Sequence, residues 1–148
     1  MSSAHTFRKL VYGITLFFIT LSGFGQMPIF DRYHISDIPG LGWLAQFYVT
    51  HSIHYLFAVV LIALCVYVVL DFLLDKKGFP RVTAPGLVKV FFILGLLVTG
   101  GFMVVKNLPG VYFSHVMIYI LDLSHILLCM ALLMASAYTL IKRKSWVR

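Results

Sequence analysis

Histidine is the residue type in this sequence most able to do chemistry, because its imidazole binds iron and titrates near neutral pH. The chain has six histidines, and four of them fall in or beside long apolar segments. Ionisable side chains inside a bilayer are costly and usually mark a functional site. The first candidates for binding a cofactor are therefore His51, His54, His115 and His125.

Depth in the membrane selects two of these candidates. His54 lies 17 residues before Asp71, where its apolar segment turns polar, and His125 lies 17 residues before Lys142, where its own segment ends. At about 1.5 Å per helical residue, both imidazoles come roughly 25 Å from the same boundary. Two histidines at similar depth on separate helices predict a bis-imidazole site for one b-type haem.

Other assignments of the histidines stay open. If Asp75 marks the boundary, His54 moves outward by about one turn; it still fits best, and His51 ranks next as a ligand. A histidine near a membrane interface is more often a hydrogen-bonding anchor than a ligand, and we assign that role to His5, His34 and His115. Asp122, three residues before His125, could either hold an imidazole N–H or cap a polar seam.

The elements that position these residues are membrane-spanning helices. The sequence is 61% hydrophobic with 17 charged side chains and a mean hydropathy of +0.96, which excludes a soluble globule or a disordered chain. A spanning helix needs about 20 mostly apolar residues. Four segments qualify, at about 10–24, 47–74, 87–105 and 116–141. They predict an all-α, integral membrane four-helix bundle that forms one domain over residues 1–148.

The Lys and Arg residues predict the orientation. Ten lie on one side of the predicted spans, whereas Arg32 and Lys106 alone lie on the other. By the positive-inside rule both termini are cytoplasmic, in a multi-pass membrane protein. Membrane lipid then explains the basic excess, and no nucleic-acid partner is needed. Arg32 and Lys106 lie where the propionates of a haem in the outer half would emerge.

Several classes of site are excluded by what the sequence lacks. Cys65 and Cys129 lie in apolar runs without CxxC spacing, which argues against a zinc ribbon, a c-type haem or an iron–sulfur cluster. We also find no glycine-rich nucleotide fingerprint and no nucleophile beside a base. No catalytic residue is therefore predicted within this chain.

The sequence resembles the b-type cytochrome subunits of respiratory formate dehydrogenases and nickel–iron hydrogenases. The resemblance covers most of the chain and is carried by a few short stretches: Phe7-Arg8-Lys9, Leu21-Ser22-Gly23, His54 to Ala58, Thr99-Gly100, and His125 with Ala131 and Ala135. It implies a four-helix subunit of the bacterial inner membrane that passes electrons between an outer redox subunit and the quinone pool.

The departures from that family concern a second haem. The family's pattern has two haems, but its first-helix histidine falls here near Val11 or Tyr12, and one fourth-helix histidine near Tyr138 or Thr139. Both missing ligands belong to the cytoplasmic-side haem. The resemblance therefore implies one haem, ligated by His54 and His125; two haems would require a further histidine ligand.

The expected function is electron transfer between a quinone and an outward-facing iron–sulfur or multihaem cytochrome c subunit, within a hetero-oligomeric complex. Candidates for a quinone site near the outer interface are His51, which ranks first, and His34, Tyr48, Lys106 and His115. Two alternatives remain: a haem-free membrane anchor, and a small membrane enzyme acting on lipids or thiols. The enzyme ranks last because the chain has no glutamate.

Overall fold

The computed structural model describes residues 3–74 and 82–144, with side chains from residue 7 onward. The fold is all-α, with four long helices and one short one: α1 (Ser3–Gly25), α2 (Ile29–Arg32), α3 (Phe47–Leu74), α4 (Ala84–Val105) and α5 (His115–Ile141). The four long helices are long and apolar enough to span a membrane. The predicted four-helix membrane fold is confirmed, whereas the orientation of the termini stays a prediction.

The helix bounds agree with the predicted spans, with earlier starts for three helices. The apolar part of α1 is Phe7–Gly25, although the helix begins at Ser3. α4 begins at Ala84 because the Thr83 side chain accepts a hydrogen bond from the Gly86 N–H at 3.2 Å. Ser114 caps α5 in the same way, accepting from the Met117 N–H at 3.3 Å.

The N-terminal hairpin is formed by α1 and α3, within a compact unit that covers residues 1–75. Its helices are antiparallel. At one end Arg8 Nη1 lies 2.6 Å from Asp71 Oδ2, and in the middle the Phe18 and Phe57 rings stack with centroids 4.9 Å apart. At the other end Gly25 lies against Thr50, where the methyl group of an alanine would come within 2.7 Å of Thr50 Cγ2.

The segment joining α1 to α3 folds over this end of the hairpin. It contains α2 and two 3-10 turns, Ile35–Asp37 and Gly42–Ala45, and Leu44 of the second turn is buried. His34 adopts a left-handed conformation with φ of 58°, and its Nδ1 lies 3.0 Å from Asp37 Oδ2. The segment between α1 and α3 is therefore ordered into a short helix and two 3-10 turns.

The C-terminal hairpin is formed by α4 and α5, within a second compact unit that covers residues 76–148. Lys106 Nζ lies 3.3 Å from Asp122 Oδ1 near the connecting loop. At the far end Lys89 Nζ donates a hydrogen bond to Thr139 Oγ1. Of the cations used to predict orientation, Lys76, Lys77, Arg81 and Arg148 lie outside the described residues, as does the side chain of His5.

Candidate functional site

His54 is held against α1 through its Nδ1 atom. This nitrogen lies 2.9 Å from the backbone oxygen of Ile19 and 3.4 Å from Ser22 Oγ. A carbonyl oxygen can only accept, so Nδ1 carries the proton and donates it to Ile19. In the neutral imidazole the lone pair is then on Nε2, and a lone pair is what a base or a metal ligand requires.

The sequence around Ser22 makes room for this imidazole. Ser22 is fully buried, and its hydroxyl donates to the Phe18 carbonyl at 2.6 Å. A methyl group on Gly23 would lie 3.1 Å from His54 Cε1 and 3.3 Å from Nδ1, tighter than ordinary contact. Glycine therefore lets α1 approach the ring closely enough for the bond to Ile19.

His125 is held in a similar way against α4. Its Nδ1 lies 2.8 Å from Thr99 Oγ1. The Thr99 hydroxyl also lies 2.8 Å from the Gly95 carbonyl and donates to it, which leaves the hydroxyl oxygen to accept from the His125 Nδ1–H. Gly100 lies beside the ring, where a methyl group would come 3.4 Å from Cε1. A proton on Nδ1 satisfies both contacts of this hydroxyl and would give His125 the same tautomer as His54.

One helical turn before His54 lies His51, and one helical turn before His125 lies Asp122. Each of these two residues contacts a residue at the end of the preceding long helix. His51 Nδ1 lies 2.9 Å from Gln26 Oε1, and Asp122 forms the ion pair with Lys106. Of the two roles that the sequence allows for Asp122, holding the His125 N–H or capping a polar seam, the first is not observed: the residue bonded to His125 Nδ1 is Thr99, and Asp122 pairs with Lys106. His51 also stacks on Phe47, with ring centroids 5.3 Å apart.

The remaining predicted residues are more exposed. His115 is the first residue of α5, and Arg32 is the last residue of the short helix α2. Tyr48 is 83% exposed near the start of α3. His34 pairs with Asp37 where both side chains are exposed. A common site for these side chains stays a prediction, as does the pairing of His54 with His125.

Sequence reasoning missed several of the polar contacts. The hydroxyls of Ser22 and Thr99 were counted only as parts of short motifs, although each directly precedes a glycine in an apolar helix. Lys89 was counted among the cytoplasmic cations, yet it is 3% exposed and contacts Thr139 on the neighbouring helix. Its position five residues inside an apolar helix was the available signal.

Among the side chains that the structure describes, in residues 7–74 and 82–144, no three His, Cys, Asp or Glu are grouped so that they could hold a metal ion. A haem iron held by two histidines needs no group of that size. Comparison of the chain with family models, curated proteins and solved structures found no match.

Proposed function

We propose that this protein is a b-type cytochrome subunit that carries electrons across part of the membrane, with His54 and His125 as the axial ligands of one haem. The electrons pass between a quinone and an outward-facing iron–sulfur or multihaem cytochrome c subunit. The protein then works in a hetero-oligomeric complex of the bacterial inner membrane.

The observation that carries the proposal is the common state of the two imidazoles. Each donates its Nδ1 proton to an oxygen on the adjacent helix, 2.9 Å away for His54 and 2.8 Å for His125. Histidines that bind a metal commonly donate the other ring N–H to such a partner, which fixes the tautomer and orients the ring. Gly23 allows this orientation of His54, because an added methyl group would lie 3.1 Å from its ring, and Gly100 lies beside the His125 ring.

When bound, a b-type haem supplies one-electron redox chemistry at its iron. The chain's part is to orient the two imidazoles and to offer cations to the propionates. Lys106 and Arg32 are the proposed cations. The Lys106 ammonium already pairs with Asp122, so a propionate would share it with that carboxylate.

His51 is the proposed proton acceptor for quinol oxidation. Its Nδ1 donates to Gln26 Oε1 at 2.9 Å, which leaves the Nε2 lone pair to take up a proton. Phe47 and Tyr55 contact the His51 ring, with centroids 5.3 and 4.4 Å away, and give the surroundings an aromatic surface. His34, Tyr48 and His115 remain further candidates.

The test is a reduced-minus-oxidised visible spectrum of the purified protein, with a pyridine haemochrome assay to count haem per chain. We expect one b-type haem per chain, lost in both His54→Ala and His125→Ala. His51→Ala and His115→Ala are the matched controls and should keep the haem. His51→Ala should in addition slow quinone turnover.

A colourless wild-type protein would refute the haem assignment and favour the second candidate, a haem-free anchor subunit. That candidate has its own support, because the His54 and His125 bonds also join the helices of each hairpin, as polar side chains do in membranes. Loss of haem in His51→Ala would make His51 a ligand. Two haems per chain would require a ligand among His5, His51 and His115.

A further inference from the structure

A groove at one end of the C-terminal hairpin is lined by residues that have no role in the proposed electron transfer. It lies between the start of α4 and the end of α5 and has a volume of about 360 Å³. Both apolar and polar side chains line it, among them Pro85, Val88, Ala135, Tyr138, Thr139 and Lys144. The groove thus combines an apolar wall with a cation.

The chain fixes the position of Lys144 through the way α5 ends. Arg143 adopts a left-handed conformation with φ of 49°, and its N–H bonds to the Leu140 carbonyl at 3.2 Å. The Lys144 N–H bonds to the Thr139 carbonyl at 2.9 Å, which completes a Schellman motif. This turn brings Lys144 Nζ to 3.2 Å from the Tyr138 hydroxyl and 5.1 Å from the centre of its ring.

A second cation lies against the same wall. Lys89 is 3% exposed, and its Nζ donates to Oγ1 of Thr139, a residue that lines the groove. The Thr139 hydroxyl itself donates to the Ser136 carbonyl at 3.0 Å, so its oxygen is available to accept from Lys89. The groove is therefore lined by Lys144, and the Lys89 ammonium is bonded to one of its other lining residues.

The sequence supplies little negative charge to this end of the hairpin. From Lys76 onward it has nine Lys and Arg residues and one acidic residue, Asp122. Asp122 pairs with Lys106 near the opposite end. Basic pockets beside transmembrane helices are typical binding sites for anionic lipid headgroups.

We propose that this groove binds one phospholipid with an anionic headgroup. The phosphate contacts Lys144 and the Tyr138 hydroxyl, and an acyl chain follows the apolar wall past Val88 and Ala135. The proposal does not depend on haem binding, and a colourless protein would leave it intact.

The test is native mass spectrometry of the full chain in detergent, titrated with phosphatidylglycerol or with phosphatidylcholine. We expect one phosphatidylglycerol to bind with higher affinity than phosphatidylcholine. Lys144→Gln should weaken its binding about fivefold, the effect of one basic residue near an anionic surface. Lys142→Gln, a cation at the same helix end that does not line the groove, is the matched control and should bind as the wild type does.

A second pair of variants tests the acyl-chain path without changing charge. Val88→Trp fills the groove and should lower phosphatidylglycerol binding, whereas Val90→Trp, on the same helix and also exposed, should not. Equal binding of the two lipids, or equal losses in Lys142→Gln and Lys144→Gln, would overturn the proposal. So would unchanged binding in Val88→Trp, or full competition by inorganic phosphate.

Discussion

Replacing Gly23 with alanine tests whether the close approach of α1 to His54 is a real constraint. The added methyl group would lie 3.1 Å from His54 Cε1 and 3.3 Å from Nδ1, so the ring or the helix must shift by a few tenths of an ångström. The hydrogen bond from Nδ1 to Ile19, now 2.9 Å, is then stretched or bent. Gly13, on the same helix, has no atom within 4 Å of its added methyl group and supplies the matched control.

The two substitutions should change the free energy of unfolding in opposite directions. Alanine in place of glycine within a helix stabilises it by about 0.5–1 kcal/mol, and this is the full effect expected for Gly13→Ala. At Gly23 overpacking costs about 1–3 kcal/mol, which outweighs that gain. We therefore expect Gly23→Ala to destabilise the protein by roughly 1 kcal/mol, or about 2–4 °C in melting temperature.

Thermal unfolding of both variants in the same detergent, followed by far-ultraviolet circular dichroism, measures the difference. A melting temperature that falls for Gly23→Ala and rises for Gly13→Ala supports the packing described for His54. If both variants are stabilised alike, α1 does not constrain the imidazole. If the protein binds haem, Gly23→Ala should also shift the Soret or α band, whereas Gly13→Ala should leave both unchanged.

Two further predictions concern polar contacts within each hairpin. Thr99→Val should lower the free energy of unfolding by about 1–3 kcal/mol, because the His125 Nδ1–H loses its acceptor. In thermal unfolding, Thr99→Ser should keep most of the wild-type stability, because serine retains the hydroxyl. A valine variant as stable as the wild type would contradict the contact. Arg8→Gln should cost less than about 1 kcal/mol despite the 2.6 Å distance to Asp71, because both side chains are substantially exposed and solvent screens the pair. Asp71→Asn should cost about as much, and a loss above about 2 kcal/mol in either variant would mean that the pair is shielded from solvent.

The membrane-spanning segments could be predicted from sequence because they depend on mean hydropathy over about 20 residues, a property that tertiary contacts do not alter. The span at 47–74 agrees with α3 in both bounds. The start of α4 differed by three residues because the side chain of Thr83 caps the helix, and Pro85 lies in its first turn. Capping bonds of this kind depend on single residues, and a mean hydropathy over about 20 residues does not detect them.

The contacts of the histidines could be predicted only in part. Depth counted along the helices selected His54 and His125, but depth does not say which way a side chain points around a helix. The acceptors of their Nδ1 protons, the Ile19 carbonyl and the Thr99 hydroxyl, depend on that rotation and on the register of the packed helices. Lys89 shows the same limit, because its charge suggested the membrane surface whereas its contact with Thr139 lies inside the hairpin.

The two hairpins solve one local problem in the same way without sharing a sequence repeat. In each hairpin the imidazole Nδ1 contacts an oxygen of the neighbouring helix, the Ile19 carbonyl for His54 and the Thr99 hydroxyl for His125. A hydroxyl residue followed by glycine, Ser22-Gly23 or Thr99-Gly100, lies beside each ring. Ser22 precedes its histidine by 32 residues and Thr99 by 26, so the spacing differs with the length of the connecting segment. The similar surroundings of His54 and His125 therefore arise from antiparallel helices packing around an imidazole ring. If both imidazoles bind one iron, His54→Ala and His125→Ala should each remove the same haem absorption. If each imidazole only joins the helices of its own hairpin, each variant should destabilise the protein without a common spectral change.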